Sequence, residues 1–123
     1  MPSSVIYEDE LVMSFLDIRP LNLGHTLVIP KAHCVDIFDI PENLLSRVYE
    51  IAKMVSFAVK KATEADGISL IQQNGTAAGQ DIFHLHVHVV PRFEGQKLPH
   101  FSDLKVVERS KLEDMAEKIR QHL

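Results

Sequence analysis

The chain has 123 residues, the length of one typical domain, and its hydrophobic share of 46% is ordinary for a folded protein. The formal charge of −4 disfavours a protein that binds nucleic acid through its phosphates, and the apolar runs are too short to span a membrane. One cysteine, Cys34, excludes an internal disulfide and a zinc site built from paired cysteines. We therefore expect a single domain over residues 1–123 with no nucleic-acid or membrane partner. Because the first residues have neither a basic start nor the apolar core of a signal peptide, we expect a cytoplasmic protein.

The first third of the chain consists of short β-prone runs that turn residues separate. These runs predict strands over residues 5–7, 11–16 and 26–29, and the first two are expected to form a hairpin. Pro30 ends the third strand.

A long amphipathic segment follows and predicts the first helix. Pro41 begins it with Asp39 as a nearby cap, and Gly67 is suited to end it. Apolar residues recur in steps of three and four, which gives the helix one face toward the core. These residues are Leu45, Val48, Ala52, Val55, Val59 and Ala62.

The second half of the chain contains two more predicted strands and a second helix. The strands cover residues 68–71 and 83–90, and Pro91 ends the latter. The helix begins at a capping box formed by Ser110 and Glu113. Its apolar stripe is Leu112, Met115, Ala116, Ile119 and Leu123. The order of elements predicts an α+β fold: an antiparallel sheet of about five strands with one long helix and a C-terminal helix.

Three histidines alternate with apolar residues in the sequence His-Leu-His-Val-His-Val-Val at residues 84–90. Alternate side chains of a strand point to one face, so the histidines would share a face in steps of about 6.6–6.8 Å while the residues between them face the core. Buried imidazoles lose hydration and add no stability that valine would not supply, so the row indicates function. The histidines are His84, His86 and His88.

Two kinds of chemistry use such a row. Neutral imidazoles are good ligands for zinc and copper. Imidazole also attacks phosphorus and then leaves again, which splits one difficult displacement into two easier ones. The preceding loop, residues 73–80, offers small residues, side-chain amides and exposed backbone N–H groups, which suit an anion better than a cation. Phosphate chemistry is therefore favoured, and a metal-dependent hydrolase is the alternative enzyme.

The histidine row also has the form of a family signature. Residues 84–90 resemble the signature of the histidine triad family of nucleotide hydrolases and transferases. The Pro-Arg pair that follows is similar to the branch containing the fragile-histidine-triad dinucleoside polyphosphate hydrolases and many bacterial members. Residues 15–20, 24–33 and 73–80 are also similar to segments of this family, so the resemblance covers about residues 5–92.

The resemblance implies which residues form the site. His86 would be the nucleophile that attacks the α-phosphate, flanked by His84 and His88. His25 would support this group from the adjacent strand, and Asp17 would accept hydrogen bonds from the ribose hydroxyls. The remaining nucleotide-binding residues would line the base pocket or contact phosphate: Phe15, Ile18, Gln73, Asn74, Gly79 and Gln80.

The same resemblance implies the reaction and its partners. A purine nucleotide derivative would be cleaved at the α-phosphate through a covalent nucleotidyl-histidine intermediate, with release of a nucleoside monophosphate. The substrate would be a dinucleoside polyphosphate or a nucleoside phosphoramidate. No cofactor or bound metal is required, although Mg²⁺ could accompany a polyphosphate. The resemblance also implies a homodimer whose two sheets join. The non-enzymatic alternative is a nucleotide-binding or scaffold protein.

Two residues beside the histidine row bear on the leaving group. Asp81 lies where the phosphoramidase branch has a hydroxyl residue, and an ionised carboxylate cannot donate a proton, which disfavours phosphoramidates. Arg92, just after the row, could meet an outer phosphate of a longer substrate.

Overall fold

The computed structural model describes residues 4–100 and 103–123, which form one five-stranded antiparallel sheet and two α-helices. The strands are β1 (Val5–Glu8), β2 (Val12–Leu16), β3 (Thr26–Pro30), β4 (Gly67–Ile71) and β5 (Val87–Arg92); the helices are α1 (Glu42–Thr63) and α2 (Arg109–Arg120). The order across the sheet is β1-β2-β3-β5-β4. The predicted α+β fold is thereby confirmed. Within the described residues, no helix is long and apolar enough to cross a membrane.

The two faces of the sheet have different surroundings because side chains alternate along each strand. Val28 and Val87 are register partners on β3 and β5, and both belong to the hydrophobic core that α1 and α2 cover. Phe15, Leu27 and His88 form the next row of partners across β2, β3 and β5, and so face the opposite side. The histidines therefore lie on the face that the helices leave open.

The buried face of α1 is wider than the predicted stripe. Its buried residues are Leu44, Val48, Ile51, Ala52, Val55, Ala58 and Val59. Leu45 and Ala62, which the stripe includes, are only partly buried against the core. Residues 44, 51 and 58 are seven positions apart, about two helical turns, so they lie on the same side of the helix. The centre of the buried face is therefore shifted toward that side.

The ends of α1 differ from the prediction. Asp39 does not cap the helix, because its carboxylate accepts hydrogen bonds from the backbone N–H groups of Val35 and Asp36. Glu64 is the C-cap of the helix and has a left-handed backbone (φ 57°). Its N–H is directed to the carbonyls of Lys60 and Lys61. Gly67, the predicted stop, instead begins β4.

The capping box predicted for α2 does not form. Glu108 occupies the N-cap position without a side-chain hydrogen bond, so Ser110 already lies inside the helix. Glu113 instead accepts a hydrogen bond of 3.0 Å from the hydroxyl of Ser4, which ties α2 to the start of β1. Leu123, the last member of the predicted stripe, lies beyond α2 and is exposed.

β5 begins at Val87 and ends at Arg92, later at both ends than predicted, so the first two histidines of the row precede the strand. Pro91 continues the strand because β3 pairs with β5 only as far as Val89. Beyond that point the side-chain amide of Asn22 donates to the Pro91 carbonyl on the β3 side. The proline nitrogen faces the same side, so its missing N–H removes no hydrogen bond from the sheet.

Candidate active site

A cavity of about 630 Å³ opens on the uncovered face of the sheet, within the size range of small-molecule sites. It is lined by strands β2, β3 and β5, by the residues just before β5, by the loop after β4 and by the segment before α2. Its lining residues are Phe15, Asp17, Arg19, Leu27, Ile29, Gln73, Gly79, Asp81, Ile82, His84, His86, His88 and Leu104.

The cavity brings together most of the residues that the sequence predicts for the site. The predicted residues that line it are Phe15, Asp17, Gln73, Gly79, His84, His86 and His88. They come from distant parts of the chain, and the pairing of β2, β3, β5 and β4 places them together. His25 does not line the cavity but is fully buried next to His88.

The hydrogen bonds of His25 fix where its proton lies. The backbone N–H of Leu21 donates to His25 Nδ1 over 3.0 Å, so that nitrogen carries no proton. The proton of the neutral ring is then on Nε2, which donates to His88 Nδ1 over 2.9 Å. Neutral His88 therefore holds its own proton on Nε2.

Backbone carbonyls fix the other two rings of the triad in the same way. His86 Nδ1 lies 2.8 Å from the carbonyl oxygen of His84, and because a carbonyl only accepts, Nδ1 carries the proton. The lone pair of neutral His86 is then on Nε2. His84 Nε2 donates to the carbonyl of Pro30 over 2.7 Å, which leaves Nδ1 for exchange with a ligand.

Burial keeps the two inner histidines, His25 and His88, neutral. Burial, assisted by positive charge on His86, lowers the pKa of His25 to about 4. Burial also lowers the pKa of His88 to about 4; charge on the neighbouring histidines adds to this effect, and Asp17 and Asp81 oppose it. Both rings are therefore singly protonated at neutral pH, as the hydrogen bonds between them require.

Asp17 stands at the end of β2 with one carboxylate oxygen already engaged. Oδ1 accepts a hydrogen bond of 2.9 Å from the backbone N–H of Arg19. Oδ2 lies 3.8 Å from His25 Nε2, but this approach is not an ion pair at neutral pH because His25 is neutral there. Burial raises the pKa of the Asp17 carboxyl, although the Arg19 N–H and the histidine charges counteract this. The carboxylate is thus a partly desolvated acceptor at the cavity wall.

Three of the predicted nucleotide-binding residues lie outside the cavity lining: Ile18, Asn74 and Gln80. Ile18 follows Asp17 directly, but its side chain is exposed and only its neighbours on either side reach the cavity. The side-chain oxygen of Asn74 accepts hydrogen bonds of 2.7 Å from the Ile37 N–H and from the Gln72 amide. Asn74 therefore fastens one loop to another.

Gln80 is also held inside the protein. Its Oε1 accepts from the Gly75 N–H at 2.7 Å, and its Nε2 donates to the carbonyls of Val35 at 2.6 Å and Ile82 at 3.1 Å. Several backbone N–H groups of the loop also donate hydrogen bonds within the loop. The sequence, in contrast, predicts that these N–H groups are exposed. Those that bond within the loop are Gly75, Ala78, Gly79 and Gln80.

Gly79 makes room for the Gln73 side chain at the cavity wall. A Cβ at Gly79 would lie 2.7 Å from Gln73 Nε2, and the backbone there has φ +93°, which favours glycine. Both residues line the cavity, so the contact between backbone and amide helps set the position of Gln73.

The remaining lining residues were not predicted as binding residues: Arg19, Leu27, Ile29, Asp81, Ile82 and Leu104. The alternation along β3 gives a signal for Leu27 and Ile29, since Thr26 and Val28 between them are buried on the core face. Leu104 lies in an irregular segment with no periodic pattern, so the sequence contains no comparable signal for it.

Arg92 is placed elsewhere. It lines a second hollow of about 290 Å³, with Phe93, Glu94 and Gln96 among its neighbours, and not the cavity of the histidines. The expectation that Arg92 meets an outer phosphate is therefore not supported by its position. The arginine that lines the histidine cavity is Arg19.

Asp17, His25 and His88 have donor atoms within 4.8 Å of one another, the spacing of a possible metal site. Two nitrogen ligands at 2.0–2.1 Å from a tetrahedral zinc lie roughly 3.3 Å apart. His25 Nε2 and His88 Nδ1 are only 2.9 Å apart and share a proton. A metal would have to separate the pair and displace that proton, so the geometry fits a hydrogen-bonded histidine pair better than an ion.

Similarity to known proteins covers the part of the chain that carries the histidines. The family model of the HIT domain matches residues 1–95. An uncharacterised HIT-like protein of Methanocaldococcus jannaschii is 39% identical over 109 residues, which cover 88% of this chain and 84% of that protein. Adenylylsulfatase HINT3 of Arabidopsis thaliana is 40% identical over 93 residues, which cover 76% of this chain and 47% of that protein. Among solved structures, a HIT-like protein from Bartonella henselae superposes with a TM-score of 0.91 at 41% identity, covering 100% of this chain and 88% of that one.

Proposed function

This chain belongs to the histidine triad (HIT) family, and from that premise we propose that it cleaves purine nucleotide derivatives at the α-phosphate, as a hydrolase or nucleotidyl transferase. The observation that carries the proposal is the protonation of His86, whose Nδ1 donates to a carbonyl and leaves the lone pair on Nε2. The relative named adenylylsulfatase supports a nucleotide derivative as substrate. The leaving group is a second nucleotide or an amine.

In the first half of the reaction, His86 Nε2 attacks the α-phosphorus while the bond to the leaving group breaks. The ring becomes positively charged, and its Nδ1–H bond to the His84 carbonyl stabilises that charge. The leaving group takes a proton from His84. This proton comes from Nδ1 of the doubly protonated ring, because Nε2–H is held by the Pro30 carbonyl.

In the second half, water attacks the same phosphorus and the bond to Nε2 breaks. The water proton passes to Nδ1 of His84, now neutral, which restores the starting state. A nucleoside monophosphate leaves, and one water is consumed for each substrate. His88 supports both halves through its Nε2–H, which donates to a phosphate oxygen and which the bond from His25 keeps protonated.

The nucleoside lies across the sheet from the triad. Phe15, Leu27 and His88 are register partners on three adjacent strands, so Phe15 is about 10 Å from His88, two strand spacings away. The apolar surface of Phe15 and Leu27 receives the base, and Asp17 accepts from the ribose hydroxyls between base and phosphate. Gln73 donates its amide to phosphate.

The charges of the lining bear on polyphosphate substrates. The lining holds one arginine, Arg19, and two acidic residues, Asp17 and Asp81, while burial keeps His88 neutral. The proposed mechanism adds one positive charge on His84. The lining thus offers little net positive charge to a chain of phosphates, which supports the view that Mg²⁺ accompanies such a substrate.

We also propose a homodimer in which two sheets join. The sheet ends at β1 and β4. Within the described residues β4 pairs only with β5, and Leu70 on β4 is exposed. An edge strand with an exposed apolar residue is suited to pairing with a second copy.

The test of the reaction measures AMP release from diadenosine triphosphate and from adenosine 5′-phosphoramidate, each with and without a chelator. His86→Ala is expected to lower the rate at least about 10³-fold, because the nucleophile is lost, while AMP affinity changes little. His122→Ala, at an exposed histidine near the end of the chain, is the matched control and should keep the rate.

Three outcomes would contradict the proposal. Turnover by His86→Ala at a rate near that of the unaltered protein would exclude His86 as the nucleophile. Loss of activity with the chelator on the phosphoramidate would favour a metal-dependent hydrolase. AMP binding without release from either substrate would favour a nucleotide-binding protein.

A further inference from the structure

One residue of the cavity lining comes from outside the part of the chain that the family model matches. The match ends at residue 95, whereas Leu104 lines the cavity together with the strands and histidines. Leu104 belongs to the irregular segment that connects the sheet to α2. The residues that carry the reaction and one residue that encloses the substrate thus lie in different parts of the chain.

Hydrogen bonds and packing hold this segment in place. The backbone N–H of Val107 donates to the carbonyl of Ile18 over 2.9 Å, and Val107 packs against the core. The helix that follows is anchored by four buried residues: Leu112, Met115, Ala116 and Ile119. The Ser4–Glu113 hydrogen bond fixes the same helix to β1. Leu104 therefore lies three residues before a point at which the chain is anchored to the end of β2 and to the core.

The position of Ile18, to which the segment is bonded, indicates which side of the cavity the segment approaches. Ile18 follows Asp17, at the end of β2, and β2 is two strands away from β5, which carries His88. Of the apolar residues of the lining, Phe15, Leu27 and Ile29 are on β2 and β3, and Ile82 precedes β5. Leu27 is the register partner of His88, whereas Phe15 lies one strand further from the triad. Leu104 adds a further apolar side chain to this lining, from a segment that is attached beside β2.

We propose that Leu104 contacts the nucleobase and is a specificity-determining residue of this site. The proposal rests on the proposed function, since it assumes that the apolar surface of Phe15 and Leu27 takes the base. Removing most of the Leu104 side chain should then weaken binding of ligands that have a base. It should not alter ligands that end at the ribose, nor the chemical step at His86.

The experiment compares Leu104→Ala with Val106→Ala. Val106 is on the same segment, is 61% exposed and does not line the cavity, so it controls for shortening an aliphatic side chain there. The ligands are AMP and ribose 5-phosphate, with affinities measured by calorimetry, and the corresponding 5′-phosphoramidates, with KM and kcat measured separately. For Leu104→Ala we expect KM and Kd of the adenosine compounds to rise roughly tenfold, with kcat within twofold. The ribose compounds, and all constants of Val106→Ala, should stay within about twofold.

A second variant separates contact from folding. Leu104→Met keeps the apolar volume and should retain nearly all the affinity for AMP. If Leu104→Ala weakens ribose 5-phosphate as much as AMP, or if neither changes, Leu104 does not contact the base and the inference is overturned. An equal loss in Val106→Ala would overturn it as well.

Failure of the inference and failure of the proposed function give different results. If the unaltered protein binds AMP but releases nothing from either phosphoramidate, the proposed reaction fails, and the AMP affinities alone still decide the role of Leu104. If the unaltered protein does not bind AMP, both are overturned.

Discussion

Acidification should destabilise this protein because it contains two histidines that the fold keeps neutral. In the folded state burial lowers the pKa of His25 and of His88 to about 4. In the unfolded chain both rings would have ordinary values near 6.5. As the pH falls below about 6.5 the unfolded state binds protons that the folded state cannot, so the free energy of unfolding decreases until the pH reaches about 4.

The size of the effect follows from the two pKa values of each ring. At about pH 5 a histidine with pKa near 6.5 unfolded and near 4 folded reduces the free energy of unfolding by about 2 kcal/mol, and the pair by about 4 kcal/mol. That is a large part of the usual stability of a domain. Asp17 acts in the opposite direction, because burial raises its pKa and the folded state takes up that proton earlier. The contribution of Asp17 is concentrated nearer to the ordinary pKa of its carboxyl. Most of the decrease in the free energy of unfolding caused by the two histidines therefore remains.

The assay is urea unfolding followed by circular dichroism at about pH 7.5, 6 and 5 at constant ionic strength. In His25→Asn the side-chain oxygen can still accept from Leu21, but the titrating ring is gone, so the loss between the extremes should shrink by about half. His122→Asn alters an exposed histidine and should leave the loss unchanged. A loss below about 1 kcal/mol in the unaltered protein, or an equal loss in His25→Asn, would refute the reasoning.

Two further predictions concern backbone and assembly. Gly24→Ala should reduce the free energy of unfolding by about 2–4 kcal/mol, because φ is +104° and the new Cβ would lie 2.6 Å from Thr63 Cγ2. Gly67→Ala, whose new Cβ would have no atom of the described residues within 4 Å, should change it by less than about 1 kcal/mol in the same urea titration. Sedimentation equilibrium should give about twice the chain mass of 13.9 kDa, and Leu70→Lys should shift it toward one chain; a single-chain mass for the unaltered protein would contradict the dimer.

The sequence predicts the elements well where periodicity determines them. The strands before α1 and the start of α1 agree with the pattern to about one residue, because they depend on alternation or on a repeat near 3.6. The element ends are wrong where a proline or a polar side chain has a long-range partner. Pro91 stays in β5 because its carbonyl and its nitrogen are on the side of Asn22 and not on the side of β4. Ser4 takes the carboxylate of Glu113 that a local cap would have used.

The candidate site shows the same division between local pattern and long-range contact. His84, His86 and His88 line one cavity although the first two precede the strand, and Leu85 and Val87 between them are buried in the core. Gln80 and Asn74 have the residue types of ligand contacts, but their amides bond to other loops. Residue type alone does not distinguish an amide that binds phosphate from one that joins two loops, because both are satisfied by the same hydrogen bonds.

What the fold adds to the histidine row is the placement of protons. Three imidazoles in sequence have several possible arrangements of protons, and only some leave a nucleophilic lone pair toward a substrate. Here backbone groups remove the ambiguity: the Leu21 N–H orders His25 and through it His88, while the carbonyls of His84 and Pro30 order the other two rings. The same burial that keeps the inner rings neutral makes them a source of acid instability. A substitution that breaks one of these contacts without replacing a histidine should therefore alter both the reaction and the pH dependence of folding. The chemistry of the site is in this way linked to the stability of the sheet that holds it.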